Sequence, residues 1–158
     1  LEKIARDYQA DYEYLTYIAD VEKTFQLEPY ELFALIAAES GFTPITKMDG
    51  GTLSFNTTQM KLPTAKTAYM AITEYYQIEI PYPDAEILKN NKKYAAFLAG
   101  GYLRYLHDVY GNKQESYTAY QMGINGRLSF YQENGHYQSP YAVKVESLCH
   151  SFASHHNG

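Results

Sequence analysis

The stretch LEPYELFALIAAESGFTP, Leu27 to Pro44, decides how the chain reads. Pro29 suits the first turn of a helix, where its missing N–H costs nothing. Leu32, Leu35, Ile36 and Glu39 then recur at i, i+3, i+4 and i+7, the spacing of one helical face, and Gly41 and Pro44 stop the helix. That face turns Glu39 toward the core. It also sets Glu39 in the last turn, where the macrodipole disfavours negative charge. Desolvation and the nearby carbonyl ends both favour the protonated carboxyl. A carboxyl held neutral near neutral pH is what a general acid needs, and glycoside cleavage commonly asks for one. A Glu that pairs with a base or reaches back to solvent would fit the same spacing.

Around this segment the chain reads as helices. Ile4, Tyr8, Tyr12, Leu15, Ile18, Val21 and Phe25 recur at threes and fours, with no Pro or Gly between, and predict one long helix over about 3–26. Residues 43–58 are rich in Thr, Gly, Asp, Ser and Asn and read as loop, as do 79–87 around Pro81 and Pro83. Further helices are expected over about 63–76, 92–110, 114–122, 125–133 and 140–152. Lys89 to Lys93 reads as a solvated helix start, Gly100–Gly101 as a place where helices approach closely, and Ser154 to Gly158 as a frayed tail. With almost no strand-type alternation, the expected class is all-α.

Composition narrows the function. The chain has 158 residues, 46% of them apolar, enough for one domain with its own core. No apolar run approaches the ~20 residues that span a bilayer. The net charge of -5 argues against a nucleic-acid partner. Cys149 is the single cysteine, so no internal disulfide is expected. There is no HExxH, no Cys/His ligand spacing and no phosphate loop, and neither metal nor cofactor is expected. Tyrosine is the outlier, with 18 Tyr and no Trp. Its apolar ring and polar tip suit sugars, although any single Tyr is as easily a core residue.

The segment Leu27 to Pro44, with its Glu39–Ser40 pair followed by Phe42 and Pro44, resembles the first motif of the lytic transglycosylases, the family related to goose-type lysozyme. Asn56–Thr57–Thr58–Gln59 followed by Leu62–Pro63–Thr64–Ala65 is similar to the second motif, which runs Gly-Leu-Met-Gln before a Pro-Thr-Ala-like helix start. Gln59 is kept, and Asn56 and Thr58 stand for Gly and Met. Tyr102–Leu103 and Ala119–Tyr120–Gln121–Met122–Gly123 resemble the third, with Gln121 for Asn. Tyr141–Ala142–Val143 resembles the fourth.

The resemblance runs from about Leu27 to Val145. It implies a lysozyme-like helical domain with an active-site cleft, divided as 1–26 N-terminal helix, 27–152 catalytic core and 153–158 tail. It places the catalytic glutamate on Glu39, with Tyr141 orienting it. Ser40, Thr52, Ser54, Thr58, Gln59, Tyr120 and Gln121 fall where the family contacts glycan. The activity implied is cleavage between N-acetylmuramic acid and N-acetylglucosamine with a single carboxylate, giving 1,6-anhydro ends. Asp49, in Met48–Asp49–Gly50–Gly51, is the candidate second carboxylate of an alternative hydrolytic muramidase; Asp before Gly-Gly is equally a turn sequence. A non-catalytic glycan-binding or structural domain, as in a phage tail or secretion assembly, is the remaining alternative. The partner expected is the peptidoglycan glycan strand, met outside the cytoplasmic membrane or on a virion by a monomeric domain of a larger protein.

Overall fold

The computed structural model describes residues 1–157, with the side chains of His156 and Asn157 left out of the description. Among the described residues there are eight α-helices: α1 (Glu2–Tyr8), α2 (Tyr12–Thr24), α3 (Glu31–Ser40), α4 (Leu62–Met70), α5 (Ala85–Asn90), α6 (Lys92–Tyr110), α7 (Lys113–Asn134) and α8 (Pro140–Asn157). Three short strands, β1 (Thr46–Asp49), β2 (Thr52–Phe55) and β3 (Met60–Lys61), form an antiparallel sheet in that order. The fold is therefore mostly helical, compatible with the expected all-α class, with one small sheet added. The expected loop over 43–58 holds a hairpin. Asp49–Gly50–Gly51–Thr52 closes it, with φ of 59° at Gly50 and 82° at Gly51, the double positive φ that two-residue hairpin turns require.

The expected helix over 3–26 is two helices. Gln9 adopts φ 53° and closes α1, and the Asp11 side chain accepts from Glu13 N to start α2. Periodicity survives the break because both helices press the same core, yet Tyr12 is 52% exposed. The helix predicted from Pro63 is α4 and then a π-helical turn, Ala71–Tyr75. The second expected loop yields α5, which Asp84 caps by accepting from Ile87 N at 2.9 Å. The 114–122 and 125–133 helices form the single run α7, broken at Gly123 (φ 82°, ψ 170°), a conformation open essentially to glycine alone. The last helix continues to Asn157 and takes in most of the tail that was expected to fray; Gly158 lies outside the described residues.

α3 is the buried centre, with Leu32, Leu35 and Ile36 fully inaccessible and α2 and α8 packed against it. Its N-terminal end is fixed by two acids. Glu22 accepts from Tyr30 N at 3.1 Å and Leu32 N at 2.7 Å, filling the donors that a helix start leaves open. Glu31, 1% exposed, takes His107 Nε2 at 2.7 Å and the Tyr117 hydroxyl on Oε2. His107 Nδ1 lies 2.9 Å from Ser116 Oγ, a hydroxyl that also reaches the Asn112 carbonyl at 2.9 Å.

Gly100 and Gly101 sit where α6 meets its neighbours. A Cβ at Gly101 would lie 2.4 Å from Ile72 Cγ1 and 2.5 Å from Ile72 Cδ1. Ile72 belongs to the π-helical turn and is fully buried, so it has nowhere to go. Gly101→Ala should therefore cost about 2 kcal/mol by overpacking, against the ~1 kcal/mol that Ala normally gains over Gly inside a helix. Urea unfolding checks the sign: a stabilised Gly101→Ala would mean the contact is slack.

Candidate active site

The C-terminal end of α3 opens onto a cleft of about 400 Å³. One wall is the cleft face of the sheet, with Lys47, Asp49, Ser54 and Lys61. The other comes from α6 and α7, with Tyr102, Tyr120, Gln121 and Gly123. Glu39 and Gln59 lie between them. The break at Gly123 falls in this wall, so glycine is needed where α7 meets the cleft.

Glu39 is half-buried, and Tyr141 donates its hydroxyl to Glu39 Oε2 at 2.8 Å. Burial is the main force on the carboxyl and pushes its pKa up to about 7. The Asp49 charge pushes the same way, while the Tyr141 hydrogen bond and the Lys144 and Lys47 ammonium groups pull it back. Half or more of the Glu39 carboxyls are therefore protonated at and below neutral pH, and ionised above it. The Tyr141 and Tyr120 hydroxyls are pushed well above their ordinary values, first by burial and then by the Glu39 charge, so both remain donors.

The loop 56–59 beneath Glu39 is tied at every residue. Asn56, at φ 65°, donates from Nδ2 to the Leu88 carbonyl at 2.8 Å and accepts from Thr57 N. This left-handed conformation is one that Asn tolerates, which gives a physical reason why Asn can stand where the resembling motif has Gly. Thr57 Oγ1 meets the Tyr14 hydroxyl at 2.5 Å, and the Thr57 carbonyl accepts from Ser40 Oγ at 2.6 Å. The Thr58 carbonyl accepts from the Tyr120 hydroxyl at 3.0 Å. Gln59 donates from Nε2 to the Ile45 and Asn56 carbonyls, at 2.8 and 2.9 Å.

The sequence-expected residues divide accordingly. Glu39, Asp49, Ser54, Gln59, Tyr120 and Gln121 line one cleft, and Tyr141 reaches it through Glu39. Ser40, Thr52 and Thr58 do not line it. Ser40 spends its hydroxyl on the loop, Thr52 pairs with Asp49 at the exposed hairpin end, and Thr58 is fully buried, with no hydrogen-bond partner for its Oγ1 among the described residues. Asp49 starts the hairpin turn, as its Asp-Gly-Gly sequence allowed, and also lines the cleft. Sequence reasoning missed Lys47 and Lys61, because strands this short show no alternation, and Lys144, whose place near Glu39 depends on how α8 packs. Among the described residues no group of three or more His, Cys, Asp or Glu could hold a metal ion, and no helix is long and apolar enough to cross a membrane.

Tyr141→Phe isolates the hydroxyl. Without its hydrogen bond the Glu39 pKa should climb further above 7. If Glu39 is the acid of a reaction, the alkaline limb of the pH–rate profile moves to higher pH. The rate at the optimum falls about tenfold as the carboxyl loses its orientation. An unmoved alkaline limb would separate Tyr141 from the titrating group.

No family model matches the chain, and no curated protein and no solved structure matches it.

Proposed function

We propose that the chain is a lysozyme-like lytic transglycosylase domain that cuts peptidoglycan strands between N-acetylmuramic acid and N-acetylglucosamine. The observation that carries the reading is Glu39. It is a half-buried carboxyl with a pKa of about 7, gripped by Tyr141 and facing a cleft lined with side chains that can bond sugar hydroxyls. The resemblance of four sequence segments to that family supports it, and so does the placement of Glu39, Gln59 and Tyr120 along one cleft with Tyr141 bonded to Glu39.

In this reading the Glu39 carboxyl protonates the glycosidic oxygen. The muramic C1–O bond breaks, and the N-acetylglucosamine leaves with a free 4-hydroxyl. The positive charge that develops at C1 is met by the sugar's own 6-hydroxyl. Glu39, now a carboxylate, takes the proton of that hydroxyl as its oxygen bonds to C1. A 1,6-anhydro ring forms, the carboxyl is regenerated, and no water is consumed. A group that is acid in one step and base in the next works best with a pKa near the operating pH.

Asp49 favours a second reading. It lines the same cleft and acts electrostatically on Glu39, as the second carboxylate of a hydrolytic muramidase would. Mass spectrometry of muropeptides released from purified peptidoglycan separates the two. Anhydro-muramic ends are expected. Reducing ends, heavier by one water, would transfer the reaction to Asp49 and hydrolysis. No release from several wall types would leave a glycan-binding or structural domain. The wall is the substrate in this reading, so the domain acts outside the cytoplasmic membrane or on a virion.

A further inference from the structure

The sheet wall of the cleft carries a feature that acid catalysis does not use. Lys47 of β1 lies opposite Ser54 of β2, and Ser54 lies opposite Lys61 of β3. Residues directly opposite one another in an antiparallel sheet share a face, and all three line the cleft with Glu39. A chain of net charge -5 thus sets two of its 13 basic residues in a row along the wall facing its candidate acid.

The two lysines are not equivalent. Lys61 Nζ lies 3.7 Å from Asp49 Oδ2, so a charge of the cleft itself answers it. Lys47 makes no ion pair among the described residues and is exposed to the cleft opening. Its charge also works against the acid, since it pulls the Glu39 pKa down. A cation that opposes the tuning of its neighbour and has no partner of its own calls for a ligand. The rings, hydroxyls and N-acetyl groups of a glycan strand are neutral and give an ammonium group nothing that a Ser or Gln would not give. Charge complementarity requires an anion, and the anions of peptidoglycan closest to the glycan are carboxylates.

Resting on the glycan-cleaving reading, we infer that Lys47, beside Ser54 and Lys61 on the sheet face of the cleft, selects strands carrying a free carboxylate. That carboxylate is either the lactyl group of a peptide-free muramic acid or a terminus or side chain of a stem peptide. Lys47 is a specificity residue for the substrate; it takes no part in the proton transfers.

Titration calorimetry in the Glu39→Gln background tests this without consuming the ligand. Three probes are used at low salt: chitohexaose, which has no carboxylate; glycan strands stripped of peptide by an amidase, which expose the lactyl carboxylate; and strands with uncrosslinked stems. At least one carboxylate-bearing strand should bind about fivefold tighter than chitohexaose, the upper end of what one exposed charge pair gives. Added salt should erode that margin. Lys47→Ala should remove the margin, Lys47→Glu reverse it and Lys47→Arg keep it, while Lys3→Ala on α1 serves as the charge control and changes nothing. Lys61→Ala should weaken carboxylate binding as well, because it leaves Asp49 unanswered in the cleft. A Lys47 effect on stripped strands assigns the lactyl group, and an effect confined to stem-bearing strands assigns the peptide. If Lys47→Ala weakens all three probes alike, or none, the inference is overturned and the glycan reading stands. If none of the three binds, the glycan reading itself fails and takes the inference with it.

Discussion

Glu39→Gln is expected to stop the release of anhydro-muropeptides while making the domain more stable at pH 8. The loss follows from the proposed role. Gln keeps the shape and can still accept from the Tyr141 hydroxyl, but it has no proton to give, and general acid–base catalysis contributes about 10²–10⁴-fold. The gain in stability follows from linkage. The Glu39 pKa is about 7 in the fold, against 4.5 ordinarily. Below 4.5 both folded and unfolded chains hold the proton. As pH rises from there toward 7, the unfolded chain releases it and the folded one does not, so stability falls. Above 7 the fold carries the whole cost of an ionised, half-buried carboxyl, about 3 kcal/mol if the shift is expressed in full. Gln carries no such cost. The variant should melt several degrees higher than the parent at pH 8, at roughly 2–4 °C per kcal/mol for a chain of this size, and the advantage should vanish below pH 5. Scanning calorimetry at the two pH values decides it. Equal melting temperatures at pH 8 would mean that the carboxyl ionises freely and is no general acid.

The opposite sign is expected at the other end of the same helix. Burial pushes the Glu31 pKa up, but the His107 hydrogen bond and charge, the Tyr117 hydroxyl and Lys113 together outweigh it, and the net shift is downward. Its contribution to stability is therefore present above the ordinary carboxylate range and lost as pH falls through its lowered value. Glu31→Ala would strand His107 Nε2 and the Tyr117 hydroxyl without their acceptor, and take from Glu28 N the Glu31 Oε1 that it meets at 3.2 Å. Breaking a buried pair from one side typically costs ~3–5 kcal/mol, a large part of the 5–15 kcal/mol that holds an ordinary domain together. Urea unfolding should show that loss. The double variant Glu31→Leu/His107→Leu should recover part of it, since no charge is then left unanswered. A single variant costing under about 1 kcal/mol would mean that water reaches the pair.

What the sequence disclosed and what it hid divide along a physical line. α3 was legible, Glu39 included, because a fully buried helix must repeat its apolar residues at the helical period and its stop signal, Gly41 at φ 62°, is chemically explicit. Gly100–Gly101 was legible as a close approach for a similar reason. The α1–α2 break was hidden because Gln9 adopts a left-handed conformation without being Gly or Asn; only Asp11, as a cap, marked it. The strands were hidden because β1 is exposed along its whole length and so shows no alternation. Their one signal, Asp49–Gly50–Gly51, was read as a turn without its two strands. The helix start was placed at Pro29, but the chain turns there first, through Tyr30 at φ 72°, and α3 begins at Glu31. Of the candidate site, the core-facing Glu39 was legible from the helical spacing and Tyr141 from the resemblance, whereas the lysine row depends on strand register and had no local signature.

α3 joins two clamps of different purpose, Glu31 at its first residue and Glu39 one before its last, eight positions apart. Each residue of an α-helix turns the next by about 100°. Losing or gaining one residue between the clamps would leave Glu31 seated and swing the carboxyl of Glu39 out of the cleft and away from Tyr141. The helix thus behaves as a gauge of fixed length, intolerant of insertion or deletion even where Ala37 and Ala38 could be exchanged for other small residues. The hairpin tip at Gly50–Gly51 carries no such constraint. Length variation in this domain is confined by geometry to places such as that tip, and an engineered loop or affinity tag would be accepted there and refused in α3.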